Sequence, residues 1–227
     1  MNHHINIVRI KAVANALNEF NEKVVFVGGA TISFYADRPV FETRPTDDID
    51  VIIEILNYYE RGELEKRLQS LGFLNDMESG IICRYVIQGT IVNIMPTNDL
   101  SIGFKNIWYP DGFVSAIGYR IDERNTIKIL SAPYFVATKL EAYKGRGKQD
   151  GRSSKDFEDI VFVLENRESI WEEMKTTSSP VKKYLQSEFS NLLTNPNIFE
   201  WIDCNVERGS PPATYFIINQ LQKFTSV

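Results

Sequence analysis

Apolar residues Ile10, Val13, Leu17 and Phe20 recur three or four positions apart, which predicts an amphipathic helix over residues 5–20. Lys23–Val27 carries a short apolar run that reads as a buried strand. Ala30–Tyr35 is expected to be helical, and Asp37–Pro45, with two prolines, to be a loop. Over Asp48–Leu56 the pattern switches to strict alternation. A strand there puts Ile49, Val51, Ile53 and Ile55 on one face and Asp48, Asp50 and Ile52 on the other. Leu64, Leu68 and Leu71 restore helical spacing across Tyr58–Leu71, closed by Gly72. Gly80–Ile87 and Thr90–Met95 are β-rich runs joined by Gln88-Gly89, which signals a hairpin. An aromatic stretch from Phe104 to Phe113 shows no regular period, and Tyr119–Asp122 with Thr126–Leu130 makes a second hairpin around Arg124-Asn125.

After Ser131 the period is helical throughout. Ser131 is a candidate N-cap, and Pro133 fits a first helical turn. Helices are predicted over Tyr134–Lys144 and Ser153–Glu165, separated by the basic, glycine-rich loop Gly145–Arg152. Residues 167–175, 180–193, 197–203 and 212–223 follow as further helices, punctuated by Pro180, Pro196 and Pro211-Pro212. The organisation is an α/β part over residues 1–130 and an all-helical part over 131–227, an α+β chain.

Composition narrows the class. With 227 residues, 43% apolar and 24% charged, the chain has the make-up of a globular protein able to bury a sizeable core. Its formal charge of −5 argues against a general coating for nucleic acid and leaves room for a local basic patch. Cys83 and Cys204 are far apart, and no secretory pattern or membrane-length apolar run is visible, so a cytoplasmic protein without a membrane partner is expected. The only histidines are His3 and His4 at the N-terminus, which excludes histidine-dependent triads.

The chemistry concentrates between Val24 and Ile53. Asp48 and Asp50 project from one strand face and can share a divalent cation. Some 20 residues upstream, Gly28-Gly29 joins a strand to the helix expected after it. Glycines allow a tight turn and close backbone approach, and the N–H groups of Gly28–Thr31 suit a phosphate. Either feature alone has an ordinary reading, a solvated strand end or a plain turn; together they suggest work on a nucleoside triphosphate. Downstream, Lys139 to Lys155 holds six basic residues (Lys139, Lys144, Arg146, Lys148, Arg152, Lys155) against Glu141 and Asp150, a local charge of +4. Lys139 and Arg146 are seven apart and share a face if the helix extends that far. Asp156 reads equally as the partner of Ser153 in a capping box and as a functional acid. Asp159 lacks the capping reading and can instead pair with Lys139 or Arg146. Phe104, Trp108 and Tyr109 can stack on a base or plug the core.

The Gly-Gly turn followed by a D-x-D strand resembles the nucleotidyltransferase fold shared with DNA polymerase β. The finer pattern Arg44, Thr46, Asp48, Asp50 is similar to the AbiEii/AbiGii-type nucleotidyltransferases, toxins of bacterial toxin–antitoxin and phage-exclusion systems. The resemblance continues through IVNIMPTNDLSIGFKNIWYP and through APYFVATKLEAYKGRGKQD with SKDFEDI, covering roughly residues 24 to 165. It implies a nucleotidyltransferase domain with a mixed sheet, followed by a helical domain that completes a nucleotide cleft. It also implies transfer of a nucleoside monophosphate from an NTP to a hydroxyl acceptor such as RNA, Mg²⁺ as two ions, and an antitoxin partner. The residue roles it implies place Mg²⁺ on Asp48, Asp50 and Asn93, catalysis on Asp48, Asp50 and Lys139, and nucleotide binding on Gly28, Gly29, Thr31, Arg44, Thr46, Arg146 and Asp159.

Asn93 departs from the pattern, because the resemblance calls for a third acid on that strand. An amide can offer a carbonyl oxygen to Mg²⁺ but cannot act as a base. Three readings follow: a weaker second-metal site, substitution by another acid such as Asp99, or a nucleotide-binding module without efficient turnover. An ordinary hydrogen-bonded strand residue is the plain alternative for Asn93, and nucleotidylation of a small molecule is the alternative for the reaction.

Overall fold

The computed structural model describes residues 2–37, 43–55, 58–98, 106–147, 150–207 and 213–226. Asp99, Phe104 and Lys148, together with part of the Asp37–Pro45 loop, lie outside them. The chain divides into two compact units, Met1–Phe34 with Phe41–Ser131, and Tyr35–Val40 with Ala132–Val227.

In the first unit, helix α1 (Asn2–Leu17) buries Ile10, Val13 and Leu17. It ends earlier than its apolar spacing predicts. Asn18 takes a φ of +52°, and residues Asn18–Lys23 tighten into a 3₁₀ turn that leaves Phe20 half-buried. Strand β1 (Val24–Val27) is buried along its whole length, as its unbroken apolar run requires. Strand β2 (Asp48–Ile53) shows the predicted alternation at its carboxylate end and becomes fully buried at Val51–Ile53. Helix α2 (Tyr58–Ser70) leads to strands β3 (Leu74–Asn75), β4 (Arg84–Ile87) and β5 (Thr90–Pro96). A second hairpin, β6 (Ile117–Arg120) and β7 (Thr126–Ile129), follows the short helix α3 (Tyr109–Val114).

The described strands form one sheet in the order β3-β4-β5-β2-β1-β7-β6. The β2/β5 and β1/β7 pairs are parallel and the rest antiparallel, so the sheet is mixed. Gln88 and Gly89 have φ values of +49° and +77°. Two successive left-handed residues are what a two-residue hairpin turn demands. That turn pairs Ile87 with Thr90, and the register then sets Arg84 opposite Asn93. Asn93 lies beside Asp50, and Asp50 beside Val27.

Two readings are sharpened in this unit. Residues Gly29–Tyr35 form a 3₁₀ helix, not an α-helix, with Thr31 Oγ1 and N–H both directed at the Gly28 carbonyl, the hydroxyl at 2.9 Å. A 3₁₀ segment this short sums few peptide dipoles, so the helix-dipole part of the phosphate argument weakens. The aromatic stretch contains α3, opened by Tyr109-Pro110, and Trp108 and Tyr109 are both 8% exposed, which makes them core residues. Strand β3, two residues long, had no periodic signal.

The second unit is helical: α4 (Ala132–Arg146), α5 (Lys155–Asn166), α6 (Ile170–Thr176), α7 (Ser179–Leu193), α8 (Ile198–Asn205) and α9 (Ala213–Thr225). Helix α4 is buried nearly all round and packs on α5, α6 and α7. Its most deeply buried charge, Lys139, pins it to α5: Nζ lies 2.6 Å from Asp159 and 3.3 Å from Asp156. The cap of α5 is Ser154, not Ser153, and its hydroxyl accepts from the Phe157 N–H at 3.3 Å. Asp156 is therefore released from the predicted capping box and turns inward. Among the described residues, no helix is long and apolar enough to cross a membrane.

Burial alone would push the Asp156 carboxyl up. Hydrogen bonds from Arg146 and the charge of Lys139 outweigh it and hold the group below the usual carboxylate range. A carboxyl depressed in the folded state contributes fully above about pH 4 and loses that contribution as pH falls through its folded value. Asp156→Asn is expected to cost about 2–3 kcal/mol at pH 7, since it leaves a buried lysine with half its partners. Urea unfolding should show the gap between wild type and variant closing below about pH 4.

Candidate active site

Gly28 sits at the end of β1 with a φ of +74°, a conformation L side chains rarely adopt. A Cβ there would lie 2.3 Å from Asp50 Oδ2, so glycine is required by contact as well as by backbone. A Cβ on Gly29 would lie 2.3 Å from an Arg44 terminal nitrogen and 3.1 Å from the Thr46 methyl. The Gly-Gly turn thus carries an aspartate over one residue and a guanidinium over the next.

The segment supplying Arg44 and Thr46 is tied to α1. Thr46 Oγ1 donates to Asn6 Oδ1 at 3.2 Å, the Asn6 amide donates to the Arg44 carbonyl at 3.5 Å, and Arg9 donates to the Thr46 carbonyl at 2.6 Å. Asn6 and Thr46 are buried, so these bonds fix the loop. Thr31, also buried, spends its hydroxyl on the Gly28 carbonyl and locks the turn.

Across the sheet, the Asn93 amide nitrogen donates to Asp48 Oδ2 at 3.0 Å and to Asp50 Oδ1 at 2.7 Å. The carboxylates therefore converge on one point, as parallel neighbours two residues apart on one strand face should. Arg84 Nε donates to Asn93 Oδ1 at 3.0 Å, and its Nη2 reaches Asp48 Oδ2 at 3.3 Å. This network fixes the amide: only with its NH₂ toward the carboxylates does its oxygen meet the guanidinium. Asn93 thus offers the pair a donor, where a metal ligand would offer its carbonyl. Neighbouring Cys83 has its thiol pushed up by burial, with Asp50 adding to the effect, so it is held protonated.

The donor set is compatible with Mg²⁺. Two hard carboxylate oxygens facing one point suit a small hard cation that keeps several water or phosphate ligands. Among the described residues, no three His, Cys, Asp or Glu side chains are grouped to hold a metal by themselves.

In the helical unit, Arg146 closes on Asp156 in a two-pronged pair, Nε to Oδ2 at 2.7 Å and Nη2 to Oδ1 at 2.8 Å. Lys139, 5% exposed, joins Asp156 and Asp159, so these four charges balance. The pairing of Asp159 with Lys139 anticipated from sequence is present. The basic run is less bare than its composition suggests. Lys144 meets Glu141 and Glu188, and Arg152 meets Asp150 and Glu200.

Sequence reasoning passed over Arg84, Asn6 and Arg9. The first was accessible, because the Gln88-Gly89 turn fixes the register that puts residue 84 opposite 93. The other two carried no local signal.

Comparison with known proteins gives the family. A family model described as the nucleotidyl transferase AbiEii toxin, type IV toxin–antitoxin system, matches residues 12–179. No curated protein sequence matches the chain. Among solved structures, the solution structure of the antibiotic-resistance factor ANT(2″)-Ia is similar, with a TM-score of 0.50 and 16% identity over 85% of this chain and 96% of that one. Identity so low speaks to the fold alone. The family model spans the glycine turn, the D-x-D strand, Asn93 and the Lys139–Asp159 cluster, and on that match the chain belongs to the AbiEii family of nucleotidyltransferase toxins of type IV toxin–antitoxin systems.

Proposed function

We propose that this protein transfers a nucleoside monophosphate from an NTP to a hydroxyl of RNA, in a reaction dependent on Mg²⁺, and that an antitoxin restrains it. The observation that carries the reading is the convergence of Asp48 and Asp50 on one point beside the Gly28 turn. A toxin that transfers nucleotides needs an acceptor the cell cannot spare, and RNA hydroxyls meet that need.

Asp48 and Asp50 hold the ion, which when bound supplies charge neutralisation at the triphosphate. The turn at Gly28 and Gly29 receives the β- and γ-phosphates, with Thr31 locking the turn from within and Arg44 lying over Gly29. The acceptor oxygen forms a bond to the α-phosphorus as the α–β bridging bond breaks, and its electron pair leaves with pyrophosphate. The hydroxyl proton goes to a carboxylate of the pair or to water, since Asn93 cannot take it. Lys139 and Arg146 are assigned to phosphate charge, with Asp156 and Asp159 orienting them.

A second reading, a nucleotide-binding module with weak turnover, is favoured by Asn93, whose NH₂ faces the carboxylates. Incubation with labelled NTPs, Mg²⁺ and total RNA separates the two. Wild type should label RNA, and Asp48→Ala/Asp50→Ala should lower the rate on the order of 10³-fold or more. An inactive wild type that gains labelling through Asn93→Asp would instead establish the weak module. Gly28→Ala, which drives a methyl into Asp50, should reduce kcat/KM by roughly 10–100-fold while the protein stays folded by circular dichroism.

A further inference from the structure

Arg84 puts a permanent positive charge inside a site built of carboxylates. Its side chain is 22% exposed and bonded to two members of the site, Asn93 and Asp48. Arg84 cancels half the charge of Asp48 and Asp50, and Arg44 over the adjacent Gly29 is a further cation, so little net negative charge is left. Two divalent ions a few ångströms apart need considerably more negative charge than that to be held together.

Geometry points the same way. On the β4–β5 side, Asp48 Oδ2 and Asp50 Oδ1 are already met by N–H groups, two from Asn93 and one from Arg84. On the opposite side, Asp50 Oδ2 faces the α-carbon of Gly28. Asn93 cannot turn its carbonyl to an ion while Arg84 is present. The flip would set an oxygen against two carboxylates and an NH₂ against a guanidinium, replacing three attractive contacts with three repulsive ones.

We propose that Arg84 is a positioning residue that locks the Asn93 amide with its NH₂ toward Asp48 and Asp50, and so limits this site to a single divalent ion. The protein's own N–H groups already engage Asp48 Oδ2 and Asp50 Oδ1, oxygens that a second ion would need. This inference rests on the metal-dependent reading above. It goes further in assigning the number of ions and the residue that sets it.

Mn²⁺ serves as the test, counted by equilibrium dialysis on the full chain and examined by electron paramagnetic resonance. Wild type should bind one ion with the spectrum of an isolated Mn²⁺, and Asp48→Ala/Asp50→Ala should bind none. Arg84→Met removes a neighbouring cation and frees the amide, so the ion should bind roughly tenfold more tightly. Arg84→Met/Asn93→Asp should bind two ions with a spin-coupled spectrum. A merely structural role for Arg84 would instead weaken binding, together with a fall in Tm. Two ions on wild type, or one ion on the double variant, would overturn the inference and leave the reading of the site intact. No ion on wild type would overturn the metal-dependent reading itself and the inference with it.

Discussion

Side chains on neighbouring strands meet only if the strands are in step, and one such alignment carries the whole site. Arg84, Asn93, Asp50 and Val27 form a row across β4, β5, β2 and β1. The row ends at the glycine turn that follows Val27. Every contact in the carboxylate network descends from it: the amide over the acids, the guanidinium over the amide, and the bare α-carbon of Gly28 beneath Asp50. Because strand side chains alternate faces, a shift of one residue in any of these pairs would move the groups to opposite sides of the sheet. The apolar residues of β1 and β2, buried on both faces, make such a shift costly. The core thereby protects the geometry of residues that contribute little to it.

The helical unit solves a different electrostatic problem. It buries two carboxylates and a lysine almost completely, with an exposed arginine at the margin. Isolated buried charges are prohibitive, whereas a balanced set with good hydrogen bonds is tolerable. The sheet unit leaves Asp48 and Asp50 partly exposed, which suits the proposed cation site. The helical cluster fixes α4 against α5.

Much of this was legible in the sequence, and the failures have physical causes. Alternation along Asp48–Ile53, the Gln88-Gly89 and Arg124-Asn125 turns and the helical period of the later segments all carried their elements through, because burial enforces the same period in sequence and structure. Helix α3 escaped because proline at its start and Gly112 within it depress its helical signal. The cap of α5 was misplaced by one residue because adjacent serines offer the same chemistry, and only packing decides between them. The 3₁₀ form of Gly29–Tyr35 depends on Thr31 bonding back to Gly28, which residue type alone does not specify. Asn6 and Arg9 act on residues nearly 40 positions away, beyond any local pattern.

The two-residue turn between β4 and β5 sets the register from outside the network. Gln88 and Gly89 touch nothing in the network, yet they decide which residue of β4 faces Asn93. Adding or removing one residue there would present Cys83 or Tyr85 in place of the arginine, exchanging a cation for a thiol or a phenol. In evolutionary terms the hairpin is a dial: a single codon gained or lost at its tip can rewrite the electrostatics of the carboxylate pair while every residue of that pair stays the same.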